Sequence, residues 1–420
     1  MLRPNLLRCL TFTLLAVGCF STVLAQYPYG NCPTPGMQMP HSQYQAPIID
    51  YNVGQKPKLW DDQQPIERLL TNVAQRSWVR FEYLHWQLAR PGSQIVGAPV
   101  TGGTDPQTVF DNLNGGVSAG VGVTPNLNNV GLDDASGVRG TWGLDLNNAE
   151  FELEFFGTAE TTDTFSFSNL SFGRDTGLES QGTTSRPNIV TPLLNNGSPS
   201  AADAANYLIY DDSFSAELTG QMWGAEAMLL SKTYIPGDVF QMQWLGGFRY
   251  VAYEEKYGHR GVFNNGGLAA TDTVSQVRAT TVNNMYGPEV GARASINTKY
   301  LTFSATPRIA FTLNDYTGET FAGPLAGTAD GTSTHLSGSS IDFTPIVQVS
   351  LTGELHVTPN FSIFGGYDFM WIYRMTRPFD NIVYNSVDGG GGSFAPQIEQ
   401  QIDLESFYTR GLTAGLIFRY

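Results

Sequence analysis

The sequence predicts an all-β fold: a closed, antiparallel, up-and-down transmembrane β-barrel of about ten strands, or twelve if a long loop hides a hairpin. Three observations point there. From Ser77 onward apolar and polar residues alternate with a period of two, and the links between the alternating segments are in turn short and long. Beyond the N-terminal leader, no segment reaches the roughly 18 consecutive apolar residues of a membrane helix. A chain that crosses lipid without such helices must close into a barrel, because every backbone polar group there has to be paired within the protein.

The leader comes first. Arg3 and Arg8 precede the uncharged run Cys9 to Leu24, and Val23-Leu24-Ala25 supplies small residues before a cut that would leave Gln26 first. This reads as a signal peptide over 1–25 for Sec export, cleaved near Ala25. A lipoprotein reading through Cys19, after Ala16-Val17-Gly18, is the alternative, although the apolar run continues past it. With Cys9 and Cys19 in the leader, Cys32 is the one cysteine of the mature chain, so no internal disulfide framework is expected.

Residues 26–76 form a separate region. Its first half is rich in Pro, Gln and Tyr without periodicity, which predicts a flexible periplasmic arm. Asp61 and Asp62 ahead of Pro65, with Ile66, Leu69, Leu70 and Val73 on one face, predict a short helix that either plugs the barrel mouth or leads the chain into it.

The barrel is expected over 77–420. Val79, Phe81 and Tyr83 open the first strand, but Trp86 and Leu88 fall on the opposite phase, which predicts a bulge or a rim aromatic. Next come Val138, Gly140, Trp142, Leu144 and Leu146, then after Asn147-Asn148 the partner face Phe151, Leu153 and Phe155. Further apolar faces start at Trp223, Met242, Tyr286, Leu301, Phe343 and Phe361, and the last runs Leu412, Ala414, Leu416, Phe418, Tyr420. None carries a charge, as a lipid-facing surface requires: Lys or Arg at mid-depth costs roughly 2–4 kcal/mol. Pro288, Pro307 and Pro345 predict bulges, since proline cannot donate to a ladder.

The links at 147–148, 231–238, 297–299 and 357–359 are short. Between them lie long Gly-, Asn-, Ser- and Asp-rich segments at 91–136, 161–212, 258–282, 314–340 and 375–403. Short turns on the periplasmic side and long loops outside give this alternation. A soluble β-sandwich has no reason for it.

Several segments resemble a known family, the bacterial outer-membrane beta-barrel porin family 7. They are Trp78 to Trp86, Gly224-Ala225-Glu226, Gly246 to Tyr250, Tyr286 to Arg293, Thr358-Pro359-Asn360 leading to Gly366 to Phe369, Arg377-Pro378, and Gly411 to Gly415. The resemblance implies an outer-membrane barrel; Pro288 departs from the small residue expected there. The C-terminal octapeptide, with Gly415, Phe418 and Tyr420, is similar to the signal by which such barrels are recognised for insertion. Expected partners are therefore the barrel-assembly machinery, outer-membrane lipid and lipopolysaccharide.

The inward faces should carry Arg80, Glu82, Arg139, Asp145, Glu152, Glu154, Glu226, Arg249, Glu289, Arg293, Arg308, Glu354, Asp368 and Arg419. Eight strands are filled by side chains and 16 to 18 leave a channel, so a ten-stranded lumen should be mostly plugged. Two readings stay open: a structural network of Arg–carboxylate pairs, and a narrow, mildly cation-preferring pore. The function expected is a structural barrel or narrow porin for passive passage of ions and small solutes. The alternative is a surface adhesion or envelope-anchoring barrel acting through its loops.

Other classes are weaker. A hydrolytic barrel needs a histidine held by a carboxylate beside a nucleophile or water. Of His41, His85, His259, His335 and His356, only His85 and His259 lie near acids at expected outer strand ends; no motif joins them, and both read as rim or loop residues. No cofactor and no dedicated metal site is expected. The net charge of −15 disfavours nucleic acid. In the first loop Asp105, Asp111, Asp133 and Asp134 face no positive charge, and in the last Asp380, Asp388, Glu399 and Asp403 face only Arg377. These carboxylates read as a solvated surface, or as loop sites for divalent cations such as Ca²⁺ or Mg²⁺ bridging anionic lipid.

Overall fold

The computed structural model describes residues 71–98, 121–168 apart from Asn147, 188–190, 192–194, 206–208, 210–231, 239–263, 272–323, 325, 333–388 and 394–420. Ten strands form the barrel wall: β1 (Ser77–Leu88), β2 (Ala135–Asp145), β3 (Ala149–Thr158), β4 (Ser213–Ser231), β5 (Phe240–Phe263), β6 (Thr273–Asn297), β7 (Leu301–Ala322), β8 (Thr334–Thr358), β9 (Phe361–Met375) and β10 (Glu405–Arg419). Each pairs antiparallel with the next. β1 also pairs with β10, from Trp78↔Arg419 to Leu88↔Thr409, so the sheet has no open edge. A segment at Thr161–Ser168 continues the course of β3 along β4. The long last loop does hide a hairpin, Ile382–Asp388 with Phe394–Gln400, but it pairs only with itself and the ring stays at ten.

The strands exceed what a membrane needs. β5 has 24 residues, β6 and β8 have 25 and β7 has 22, against the roughly 9–11 of a crossing. Their lower halves point apolar residues outward: Trp244 and Phe248 on β5, Val290 and Ile296 on β6, Phe303 and Phe311 on β7 and Leu351 on β8 are all substantially exposed. Such a continuous apolar belt is what lipid covers; soluble monomers rarely expose more than a few hundred Å² in one patch.

Higher up, the polarity inverts. On β5 the outward positions become Glu254, Lys256 and Arg260, while Val251, Tyr253 and Tyr257 turn inward and are fully buried. Inside and outside have exchanged character on one uninterrupted strand.

This inversion corrects the expectation for β1. Its register with both neighbours is unbroken, with no bulge; Leu84, Trp86 and Leu88 simply face the interior, all at most 2% exposed. The proline bulges are corrected too. Across Pro288 and Pro307 the β6–β7 ladder loses individual bridges but keeps its register, and Pro345 pairs with Phe311 without a shift. An outward-facing proline costs one donor, not an inserted residue. Register shifts occur instead at His356/Thr358 and Ile372/Met375, the second beside Arg374 at a φ of 58°.

Loop boundaries move as well. Most of 258–282 and of 314–340 is strand, because the inverted upper halves do not show the apolar-out pattern. Residues 71–75 are helical, at the end of the predicted helix; its earlier part, the rest of the arm with Cys32, and the leader lie outside the described residues.

Candidate functional site

The lumen is built in three storeys. At the end where β1 begins and β10 finishes, a cavity of about 600 Å³ is lined by Arg80, Asp145, Glu152, Arg293, Glu354 and Arg419 among others. Here Arg293 donates two parallel hydrogen bonds to Glu152, at 2.7 and 2.8 Å, and Arg419 reaches Glu354 at 2.7 Å. Trp78 Nε1 donates to Glu150 at 2.7 Å on the rim of the same cavity.

Above it the charges knit together. Arg249, fully buried, lies 2.7 Å from both Glu226 and Glu289 and donates to the Gln348 side chain at 2.6 Å. Arg308 shares Glu226 with it and approaches Glu289 at 3.6 Å. On the other side Arg139 meets Asp368 at 2.9 Å and both Glu82 and Glu154 at 3.3 Å, while Arg80 pairs with Glu82 at 2.6 Å. The pairs join side chains from β1 to β9. Buried charge is tolerated only when paired, and the arginine fork suits carboxylates.

The third storey is mainly apolar, with Asn283, Thr312, Asn314 and Thr344 buried among the apolar side chains. The Arg139 guanidinium sits 5.6 Å from the Trp86 ring and 6.0 Å from that of Phe156, the level at which charge gives way to hydrophobic packing. Beyond it Met222, Tyr253, Met285, Ile346, Ile372 and Phe407 fill the bore, each buried to within 0% exposure. Sequence reasoning placed the charged faces but missed this fill; the odd phase of Trp86 and Leu88 was its one visible sign.

The remaining side chains fall elsewhere. Among the inward list Asp145 sits at the exposed lower rim. Gly415 faces inward, where any Cβ would collide with the Phe81 carbonyl oxygen and approach the Phe364 ring; Phe418 and Tyr420 face outward. His259 corrects the rim reading: it is buried in the upper core with Nε2 3.0 Å from the Tyr384 hydroxyl. His85 stays on the outer surface, 3.9 Å from Asp134. Asp133 also departs from expectation, since Arg90 pairs with it. Arg377, which the sequence marked within a resembling dipeptide and as the positive charge facing the acids of the last loop, clamps Glu255 on β5 and contacts Glu405 at 3.2 Å. Burial works against its charge, but Glu255 outweighs this and holds the guanidinium above its ordinary pKa. No cluster of three or more His, Cys, Asp or Glu able to hold a metal ion occurs among the described residues.

A family model described as Putative beta barrel porin-7 (BBP7) matches residues 78–420. No curated protein matches in sequence. Among solved structures, the outer membrane protease OmpT from Escherichia coli is similar at 8% identity and a TM-score of 0.42, covering 83% of this chain and 97% of that one. A Pseudomonas aeruginosa FadL homologue is similar at 7% identity and 0.24, covering 82% and 90%. The P. putida toluene transporter TodX gives 7% and 0.21, again covering 82% and 90%.

Proposed function

The chain belongs to the Putative beta barrel porin-7 family over residues 78–420, and on that premise we propose that it is a closed outer-membrane barrel with a structural role. Its lumen would be a brace, not a conduit. The observation that carries this reading is the apolar storey: Leu84, Trp86, Met285, Ile346, Ile372 and Phe407 are buried across the bore directly above the paired charges. An ion leaving the lower cavity would shed its water into close packing that is mainly apolar and whose buried amides, Asn314 and Asn283, are bonded to each other, and a charge in such a medium without a partner is too costly to pass. The ion pairs support the same reading, because a conducting filter must bind weakly enough to release, whereas these carboxylates are already taken by arginines.

Conductance of the purified protein in planar bilayers tests this. The expected result is electrical silence across voltages. Discrete open-channel steps from the unmodified chain would overturn the structural reading in favour of the narrow porin.

A second reading, surface adhesion or envelope anchoring, is favoured by one observation. The upper halves of β5 to β8 extend well beyond the length of a crossing, with outward Glu254, Lys256, Arg278, Asp315 and Glu319 among exposed apolar residues such as Phe321 and Ile341, and offer a rigid platform outside the membrane. Loss of cell or matrix attachment on deleting 169–205 would support it, and unchanged attachment would remove it.

A further inference from the structure

We propose that the extracellular half of the barrel contains a binding site for an amphipathic organic cation, an ammonium group on an aromatic or short aliphatic body. The site is the cavity of about 710 Å³ between the segment Ser93 to Ala98 and the segment Phe379 to Tyr384, inside the size range of small-molecule pockets. Its walls are apolar and aromatic: Ile95, Val96, Leu127, Tyr257, Phe379 and Tyr384.

Two polar atoms in this cavity lack partners, although the Asp380 side chain is also hydrogen-bonded to Gln94 and Glu405. Tyr257 is only 2% exposed and its hydroxyl makes no hydrogen bond, and Asp380 has a buried Oδ2 that makes none either. Buried polar atoms are nearly always satisfied, so two orphans lining one cavity point to a missing ligand.

The sign of the ligand follows from local charge. Arg377 is the cation of this region, and it is shared by Glu255 and Glu405. Asp380 and Asp403, both lining the cavity, form no ion pair with any described residue. An anion would meet Asp380, Glu405 and Asp403, with Arg377 alone to offset them among the groups that act on Asp380. A neutral apolar body would leave Asp380 Oδ2 without a partner. A bare divalent ion would find apolar walls and no cluster of three or more suitable ligands among the described residues. An ammonium group satisfies Asp380 Oδ2, and the rings of Tyr257 and Tyr384 attract it through their quadrupoles, while Phe379 already carries the Arg377 guanidinium at 4.5 Å and serves as apolar wall. Burial first, and Glu405 second, push the Asp380 carboxyl up to about 7, so a cation bound beside it would draw it back toward the charged form.

The test uses the full chain in detergent, titrated calorimetrically with phenethylammonium chloride. Phenylacetate and 2-phenylethanol share the body without the positive charge, and protein-free micelles correct for partitioning. Saturable binding of the ammonium at least tenfold tighter than either analogue is expected. Asp380→Asn should weaken it tenfold or more, Tyr257→Phe should weaken it less, and Val383→Trp should abolish it by filling the space; heat-dependent gel mobility confirms that each variant is folded. Equal binding of all three analogues, indifference to Asp380→Asn in a folded variant, or saturable binding of Ca²⁺ alone at this site would overturn the proposal. Because the readout is binding and not current, a barrel found to conduct would leave this result untouched.

Discussion

Arg377 donates to both carboxylate oxygens of Glu255, Nε to Oε2 at 2.9 Å and Nη2 to Oε1 at 2.6 Å, across 122 residues of sequence. The same guanidinium donates to the carbonyls of Ala89 and Arg90 at the upper end of β1. One side chain after β9 therefore ties two distant strands of the barrel to the last long loop. Removing one partner of a buried pair typically costs about 3–5 kcal/mol, because the other charge is stranded. Arg377→Ala should accordingly lower the temperature at which the folded gel band is lost and speed proteolysis within 376–404. Arg377→Lys should rescue only part of this, since an ammonium cannot form the two-point fork. Full rescue by lysine would show that the fork contributes nothing.

The lumen storeys make a second prediction. If Trp86 and Phe407 seal the bore, Trp86→Ala combined with Phe407→Ala should convert a silent barrel into one with discrete steps in planar bilayers. The double variant should also be less stable, each truncation costing about 3–5 kcal/mol for an aromatic residue. Continued silence with intact folding would move the barrier to the charged storey beneath.

Closure of the barrel depends on Gly415. A side chain there meets the Phe81 carbonyl oxygen on the neighbouring strand, so Gly415→Val should prevent β10 from docking and reduce the heat-modifiable, folded species. Gly140 on β2 is the control, because nothing lies within 4 Å of a Cβ at that position, and Gly140→Ala should be silent. Comparable losses from both would place the defect outside local packing.

The apolar belt predicts where charge is tolerated. Leu351 faces outward at 48% exposure between Ala305 and Tyr367, in the middle of the belt. Leu351→Arg should cost about 2–4 kcal/mol in reversible folding into lipid. Ile341 also faces outward, at 58%, but lies opposite the outward Asp315 near the upper end of the belt, where Ile341→Arg should be close to neutral. Equal penalties would put the lipid boundary elsewhere.

A pH dependence follows from Asp380. Burial, then Glu405, raise its carboxyl to about 7, while Gln94 and Arg377 act in the opposite direction. The folded pKa stands above the ordinary 3.8, so its contribution to holding the last loop is complete below that value and is lost as pH rises through about 7. Proteolysis within 376–404 should be slower at pH 5 than at pH 8, and Asp380→Asn should flatten the difference. A profile unchanged by Asp380→Asn would assign the dependence to another group.

The sequence by itself determined the strand count, the short-turn end and the lipid-facing half of each strand. Alternation such as Val138, Trp142, Leu144 against Arg139, Thr141, Asp145 is a local property: lipid demands apolar residues on one face, and the pleat delivers every second one there. It also named the inward charges, because a charge opposite a lipid-facing residue can point nowhere else.

Tertiary structure decided what those charges meet and where the lumen stops. Arg249 faces Glu226 on one neighbour and Glu289 on the other, while Gln348 reaches it from β8, a convergence set by closure of the sheet and not by any local pattern. The change of phase from Tyr83 to Trp86, read along the chain, looks like a broken strand. In the closed barrel it is the height at which the outer face leaves lipid and the inner face loses water, so the same alternation continues with its polarity reversed.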